Sequence, residues 1–185
     1  LSERNTVIRS LHDLGLAAWF GGTLMGAVGL NGATAKAKNP QERLELSSLG
    51  WAKWTPVQGA ALVAHAIGGA GLIFANKGRV LAQPDTRTNT IVKLVLTGVA
   101  IGTTVYSGIQ GVKIADRANE GGTGVTEPGA GASESLASAQ KQQKVLQWLN
   151  PALTGILIVL AAQQGEQQRP IAGLLQSKIN AIRNH

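Results

Sequence analysis

His65 is the residue in this chain best placed for ligand or proton chemistry. It lies near the middle of the uncharged stretch Val57–Asn76. An ionisable side chain inside a membrane-length apolar helix is a functional candidate from the outset, because its burial has to be offset by a partner. His12 is the natural second histidine, since two imidazoles on adjacent helices are the ligand set of a b-type haem. The spacing argues against such a pair. His12 precedes the first apolar run, at the membrane face shared with the end of the second, whereas His65 stands ten residues before Ala75. That places it about 15 Å deeper, at about 1.5 Å of rise per residue. We therefore expect the two rings to lie apart. His65 is then a neutral imidazole hydrogen-bonded inside the bundle, or a residue that holds a quinone headgroup. No metal and no cofactor is assigned.

A second group of candidates follows further on. Thr97, Ala100, Thr104, Ser107 and Gly111 recur at steps of three and four, forming a small, weakly polar seam on one helix face. The seam is expected to face the bundle interior. With His65, the hydroxyls of Thr104 and Ser107 are candidate ligands for a small molecule, a quinone or a lipid. The competing reading has those hydroxyls bonded to their own helix or to a neighbour.

Catalytic signatures are missing. The chain has no cysteine, which excludes disulfides, Cys-ligated zinc, iron–sulfur clusters and thiol nucleophiles. Met25 is the sole methionine, so there is no thioether array for Cu(I). No Ser-His-Asp set or carboxylate pair stands out. Gly121-Gly122-Thr123-Gly124 lacks both the preceding strand and the Lys-Ser/Thr of a phosphate-binding loop. We expect a protein that is not an enzyme.

The elements that must position these residues are apolar helices. Mean hydropathy is only +0.07, yet charge is clustered between long uncharged runs at about 14–35, 57–76, 94–112 and 145–165. Each approaches the roughly 20 residues needed to cross about 30 Å of hydrocarbon. The fold class expected is all-α, an integral membrane four-helix bundle with a short interfacial helix and a C-terminal amphipathic helix. Residues 1–169 form the four-span domain and 170–185 an amphipathic tail, with Ile171, Leu174, Leu175, Ile179 and Ile182 on one face. Arg4, Arg9, the apolar run and Ala33-Thr34-Ala35 imitate a cleavable signal, but we read the segment as a retained first span.

The joints between these runs carry their own signals. Asn39-Pro40, with Glu42 three residues on, caps a new helix. We expect it to lie at the interface with Trp51 and Trp54 at headgroup level, before Pro56 opens the second span. Asn76-Lys77-Gly78-Arg79 is expected to end that span, with Gly78 well placed as its C-cap. Residues 120–138, rich in Gly, Ser, Thr and Ala, read as a flexible loop. Pro151 is expected to kink the fourth helix.

Helix packing is predicted from small residues four apart. Gly22 and Gly26, then Ala60, Ala64 and Gly68, then Gly98 and Gly102 mark contact faces on spans one to three. The aliphatic fourth span is expected to face lipid or another subunit. Gly29-Leu30-Asn31-Gly32 and Gly108-Ile109-Gln110-Gly111 suggest two related helical hairpins. Net charge is +7, which we assign to anionic lipid headgroups, with no nucleic-acid partner. Nine basic residues fall on the side of both termini and eight on the other, a slight preference for cytoplasmic termini.

The run Leu11-His12-Asp13-Leu14-Gly15-Leu16-Ala17-Ala18-Trp19-Phe20-Gly21-Gly22 resembles the first span of small four-helix bacterial families related to copper-resistance D membrane proteins. They too place a histidine seven residues before a tryptophan that is followed by glycine. The resemblance covers one span of four. It implies a four-helix membrane fold, His12 and Trp19 at the matching positions, and a link to copper handling. On the whole sequence, the expected function is a non-catalytic accessory subunit of a bacterial inner-membrane complex, with a respiratory assembly as its setting. Its partners would be other membrane subunits. A small-molecule, quinone or lipid-handling membrane protein is the alternative.

Overall fold

The computed structural model describes residues 5–78 and 84–167. Helix α1 (Thr6–Met25) runs through a π-helical turn (Gly26–Leu30) into α2 (Asn31–Thr34). Then come α3 (Pro40–Ala75), α4 (Pro84–Ala115), a 3-10 turn (Ala118–Glu120) and α5 (Glu134–Gln167). Among the described residues four helices are long and apolar enough to cross a membrane: Thr6–Thr34, Pro40–Ala75, Arg87–Ala115 and Glu134–Gln163. The expected amphipathic tail falls outside the described residues.

Two antiparallel hairpins make the bundle, α1 with α3 and α4 with α5. They join chiefly along α1 and α5, with a smaller contact between α3 and α4. The α1–α3 contact is set by glycine. Gly15 lies directly against the α3 backbone at Ala61 and His65, and Gly68 lies against the backbone of His12. Gly22 and Gly26 leave slots filled by the rings of Trp54 and Trp51.

Several expectations give way here. The interfacial helix and the second span are one continuous helix, because Pro56 removes a single backbone donor and α3 runs on through it. Asn39 does cap it, accepting from the Gln41 N–H at 2.8 Å. Its other end falls at the start of the expected run, but the C-cap is Asn76, whose side chain donates to the Leu72 carbonyl, and not Gly78. Trp51 and Trp54 turn into the bundle, where a facing glycine provides space and an amide oxygen takes the indole N–H.

The fourth span does not simply face lipid. Asn150, Thr154 and Leu157 are buried at helical spacing, with Thr154 and Leu157 at 0% and 2% exposure. Contact residues hide easily in an all-aliphatic run. Ala60 is exposed while its neighbour Ala61 is buried, and Gly98 and Gly102 of α4 face open space.

Nor is 120–138 a loose loop. Gly122 and Pro128 form an isolated antiparallel bridge. Val125 and Thr126 are buried. The buried Gln140 amide donates to the carbonyls of Gly124 and Val125, and Arg43 donates to those of Gly122 and Thr123. Residues too small to build a core by themselves are fixed instead by backbone hydrogen bonds to two helices. The loop covers a core of Leu44, Ile114, Ala118, Leu136 and Ala139. Gly121 reaches it at φ 71°, with Pro40 against its α-carbon. From Ser135 onward the expectation of helix agrees, as α5 starts at Glu134.

At 36 residues α3 is about 54 Å long, against roughly 30 Å of hydrocarbon. Its Pro40 end is packed under the loop, where the Pro40 carbonyl accepts from the Gly122 N–H.

Candidate functional site

A second core layer, Leu16, Trp19, Ala100 and Leu157, lies across the middle of the bundle. A cavity lies on either side of it.

The first cavity, of about 550 Å³, lies between this layer and the loop-covered core. It is lined by both tryptophans of α3 and by a set of amides. The π-helical turn admits an extra residue and re-phases the helix after it. Asn31 follows directly, and is 6% exposed. Its Oδ1 accepts from the Ser47 hydroxyl at 2.8 Å and the Trp51 N–H at 3.0 Å, and its Nδ2 donates to Gln147 Oε1 at 3.0 Å. Trp54 donates to Gln58 Oε1 at 2.7 Å. Gln143 and Ser107 are paired at 2.8 Å. Asn150 also lines the cavity. It is 4% exposed, and its Oδ1 meets no donor among the described residues.

The second cavity, of about 580 Å³, lies on the other side of the layer. His12 and His65 meet here, with ring centroids 4.3 Å apart. His65 is 5% exposed, and its Nδ1 lies 3.2 Å from the His12 carbonyl oxygen. His12 Nδ1 lies 2.8 Å from Asp13 Oδ1. The expected separation of the rings is therefore corrected. It assumed that the ends of the apolar runs stand level. The helices instead register through glycine, with Gly15 opposite Ala61 and Gly68 opposite His12, which brings His12 to the depth of His65. Rings in contact leave no gap for a tetrapyrrole plane between them. Among the described residues no three His, Asp or Glu side chains form a group able to hold a metal ion.

The three candidate ligand residues are thus divided. Thr104 and Ser107 line the first cavity and His65 the second. Trp19 stands between, fully buried. Its N–H donates to Thr104 Oγ1 at 3.1 Å, and its ring meets His65 edge-on at 6.0 Å. The α4 seam faces inward as expected, with Ala100 at 0% exposure. The Thr104 and Ser107 hydroxyls bond neighbouring helices while lining the first cavity.

The amides were not among the expected site residues. Their signal was present in Gln143, Gln147 and Asn150, spaced three and four apart along one helix face, but attention to charged residues alone passes over them.

Against protein-family models, characterised proteins and solved structures, the chain finds no match.

Proposed function

We propose that this chain is a multi-pass membrane protein, without catalytic activity of its own, that holds a small amphiphile in the amide-lined cavity between α3 and α4. The carrying observation is an apolar-walled cavity of about 550 Å³ with the buried side chain of Asn150 among its lining residues; the Asn150 Oδ1 meets no donor among the described residues. Its size falls within the roughly 300–1,000 Å³ usual for small-molecule sites. An unmet buried acceptor costs about 1–3 kcal/mol, so a ligand hydroxyl or N–H placed there regains a hydrogen bond. Tryptophan rings and aliphatic walls suit the apolar body of a quinone, quinol or hydroxyl-bearing lipid. An opening between two spans suits entry from the bilayer.

The test uses the protein purified in mild detergent. Trp51 and Trp54 line the cavity, so a short-chain quinone should quench their fluorescence saturably. Gly59 and Gly108 line it too, and an added Cβ meets nothing within 4 Å at either. Gly59→Leu and Gly108→Leu should fill the space, leave the melting temperature nearly unchanged and weaken quenching at least tenfold. Mass spectrometry of an organic extract separates a lipid occupant from a quinone. Linear, unsaturable quenching that neither variant alters, together with an empty extract, would end this reading.

A second reading, accessory subunit of an inner-membrane complex with a respiratory setting, is favoured by the bare face of α4. Gly98 and Gly102 meet no other atoms within 4 Å of an added Cβ, and small residues four apart suit close packing of another helix. Stoichiometric co-purification of a multi-subunit complex from native membranes would support it. Recovery of this chain alone would count against it. The resemblance to copper-resistance D-related families fits either reading through the fold it implies.

A further inference from the structure

The walls of the amide cavity carry hydrogen-bonding groups but no charge: none of its described lining residues is Asp, Glu, Lys, Arg or His. An ionised head placed there would give up its hydration without meeting a counter-charge, so the ligand suited to it has a neutral head. The balance of donors and acceptors narrows the class further. Donors on these walls are already committed within the protein. Trp51 and the Ser47 hydroxyl donate to Asn31 Oδ1 at 3.0 and 2.8 Å, and Trp54 donates to Gln58 at 2.7 Å. Asn31 Nδ2 donates to Gln147 at 3.0 Å, and the Thr23 hydroxyl to the Trp19 carbonyl at 2.9 Å. Asn150 Oδ1 is in the opposite condition, an acceptor on a residue 4% exposed that meets no donor among the described residues. Its own helix does not supply one. One turn on, the Thr154 hydroxyl points back to the Asn150 backbone carbonyl at 2.8 Å. Three residues before it, the Gln147 amide is held between Asn31 and Thr126. A wall with its donors taken and an acceptor open favours a ligand that brings a donor. A hydroxyl head does so, whereas a carbonyl, ester or ether brings only a further acceptor.

We infer that the amide cavity selects a neutral amphiphile whose head donates a hydrogen bond through a hydroxyl group to Asn150 Oδ1, its apolar body lying against Leu62, Val105 and Val112. This rests on the reading of that cavity as an amphiphile site and names the class of ligand it prefers. Two sources share this chemistry: a quinol and a diacylglycerol. The oxidised quinone and the glyceride without a free hydroxyl fit the same space and lack the donor. The hydroxyl, present in one member of each pair and absent from the other, decides which is held.

The full chain in mild detergent is titrated calorimetrically, without oxygen, with two matched pairs of probes. One is a decyl-substituted benzoquinol against the corresponding benzoquinone. The other is dioctanoylglycerol against the dioctanoyl ester of propanediol, which lacks its hydroxyl. The hydroxyl-bearing member of at least one pair should bind tenfold or more tightly than its counterpart, and the pair with the larger ratio identifies the source. Asn150→Leu keeps the branch at Cγ and removes the acceptor. Both members of the preferred pair should bind that variant within twofold of each other. The unaltered protein decides by itself should Asn150→Leu fail to fold. Equal binding within both pairs would overturn the inference and leave the amphiphile reading standing, with water meeting the Asn150 oxygen in place of the ligand. A preference that persists in folded Asn150→Leu would overturn it as well. If none of the four probes binds, this inference and the amphiphile reading fall together.

Discussion

Gly15 and Gly21 are six residues apart on one helix and make opposite demands on it. A Cβ at Gly15 would stand 2.5 Å from the Ala61 carbonyl oxygen and 2.6 Å from the His65 nitrogen, both backbone atoms that cannot swing aside. Gly15→Ala should therefore cost about 1–3 kcal/mol, the usual range for overpacking. At Gly21 nothing lies within 4 Å, and Gly21→Ala should be neutral or stabilise by about 0.5–1 kcal/mol through helix propensity. Thermal unfolding of both variants in one detergent checks the contrast, and equal midpoints would contradict the α1–α3 register. Asn31 makes a different contribution. Asn31→Leu would orphan the Ser47 hydroxyl and the Trp51 N–H, at about 1–3 kcal/mol for each buried donor. Trp51→Phe in that background should recover part of the loss. Little of this was legible in the sequence. An asparagine inside an apolar run names no partner, and a glycine does not say whether its missing side chain makes room for backbone, a ring or nothing.

Among the elements, the turn from α4 to α5 depends on Glu120. Its carboxylate accepts from the Ser133 backbone N–H at 2.6 Å, from the Ser133 hydroxyl at 3.1 Å and from Arg117 at 3.1 Å. The Ser133 N–H, then its hydroxyl, and after these Arg117, hold the carboxyl below its ordinary range. A folded-state value below the unfolded one means that the stabilisation is complete above the unfolded value. It is lost as pH falls through the folded one. Glu120→Gln should thus flatten the acid limb of the melting-temperature-against-pH curve and leave the neutral region nearly level. An unchanged acid limb would show that the carboxylate is not what fastens the turn. Composition misled at this scale. Small polar residues without a core read as loose chain, and it is Arg43, far away in sequence, and Gln140 that take up the loop carbonyls.

For the whole molecule, four helices of membrane length alternate with polar connections, which makes transmembrane placement testable. The chain has no native cysteine, so single cysteines can be introduced against a silent background. Those replacing Val63, Val99 or Val159, all exposed on apolar helices, should resist a membrane-impermeant maleimide. Lys38 and Ala130 should report from one side and Lys77 from the other. Labelling at all six from one side would rule out four spans.

Four long apolar runs and their approximate places were determined by the sequence alone, because uncharged runs of about 20 residues leave few other structures open; that the second is continuous with the helix begun at Pro40 was not. The Asn39 cap and the inward seam of α4 were equally readable, since both depend on neighbours within a helical turn or two. Tertiary structure alone decided which helices touch, at what register, and where they part. The His12–His65 contact follows from the depth at which Gly15 and Gly68 let two backbones meet, and the burial of α5 and the two cavities from how the two hairpins pack together. Helices packed by close fit, without a hydrophobic driving force between them, choose partners by shape. Shape is a property of two surfaces together, and hydropathy along one chain does not contain it.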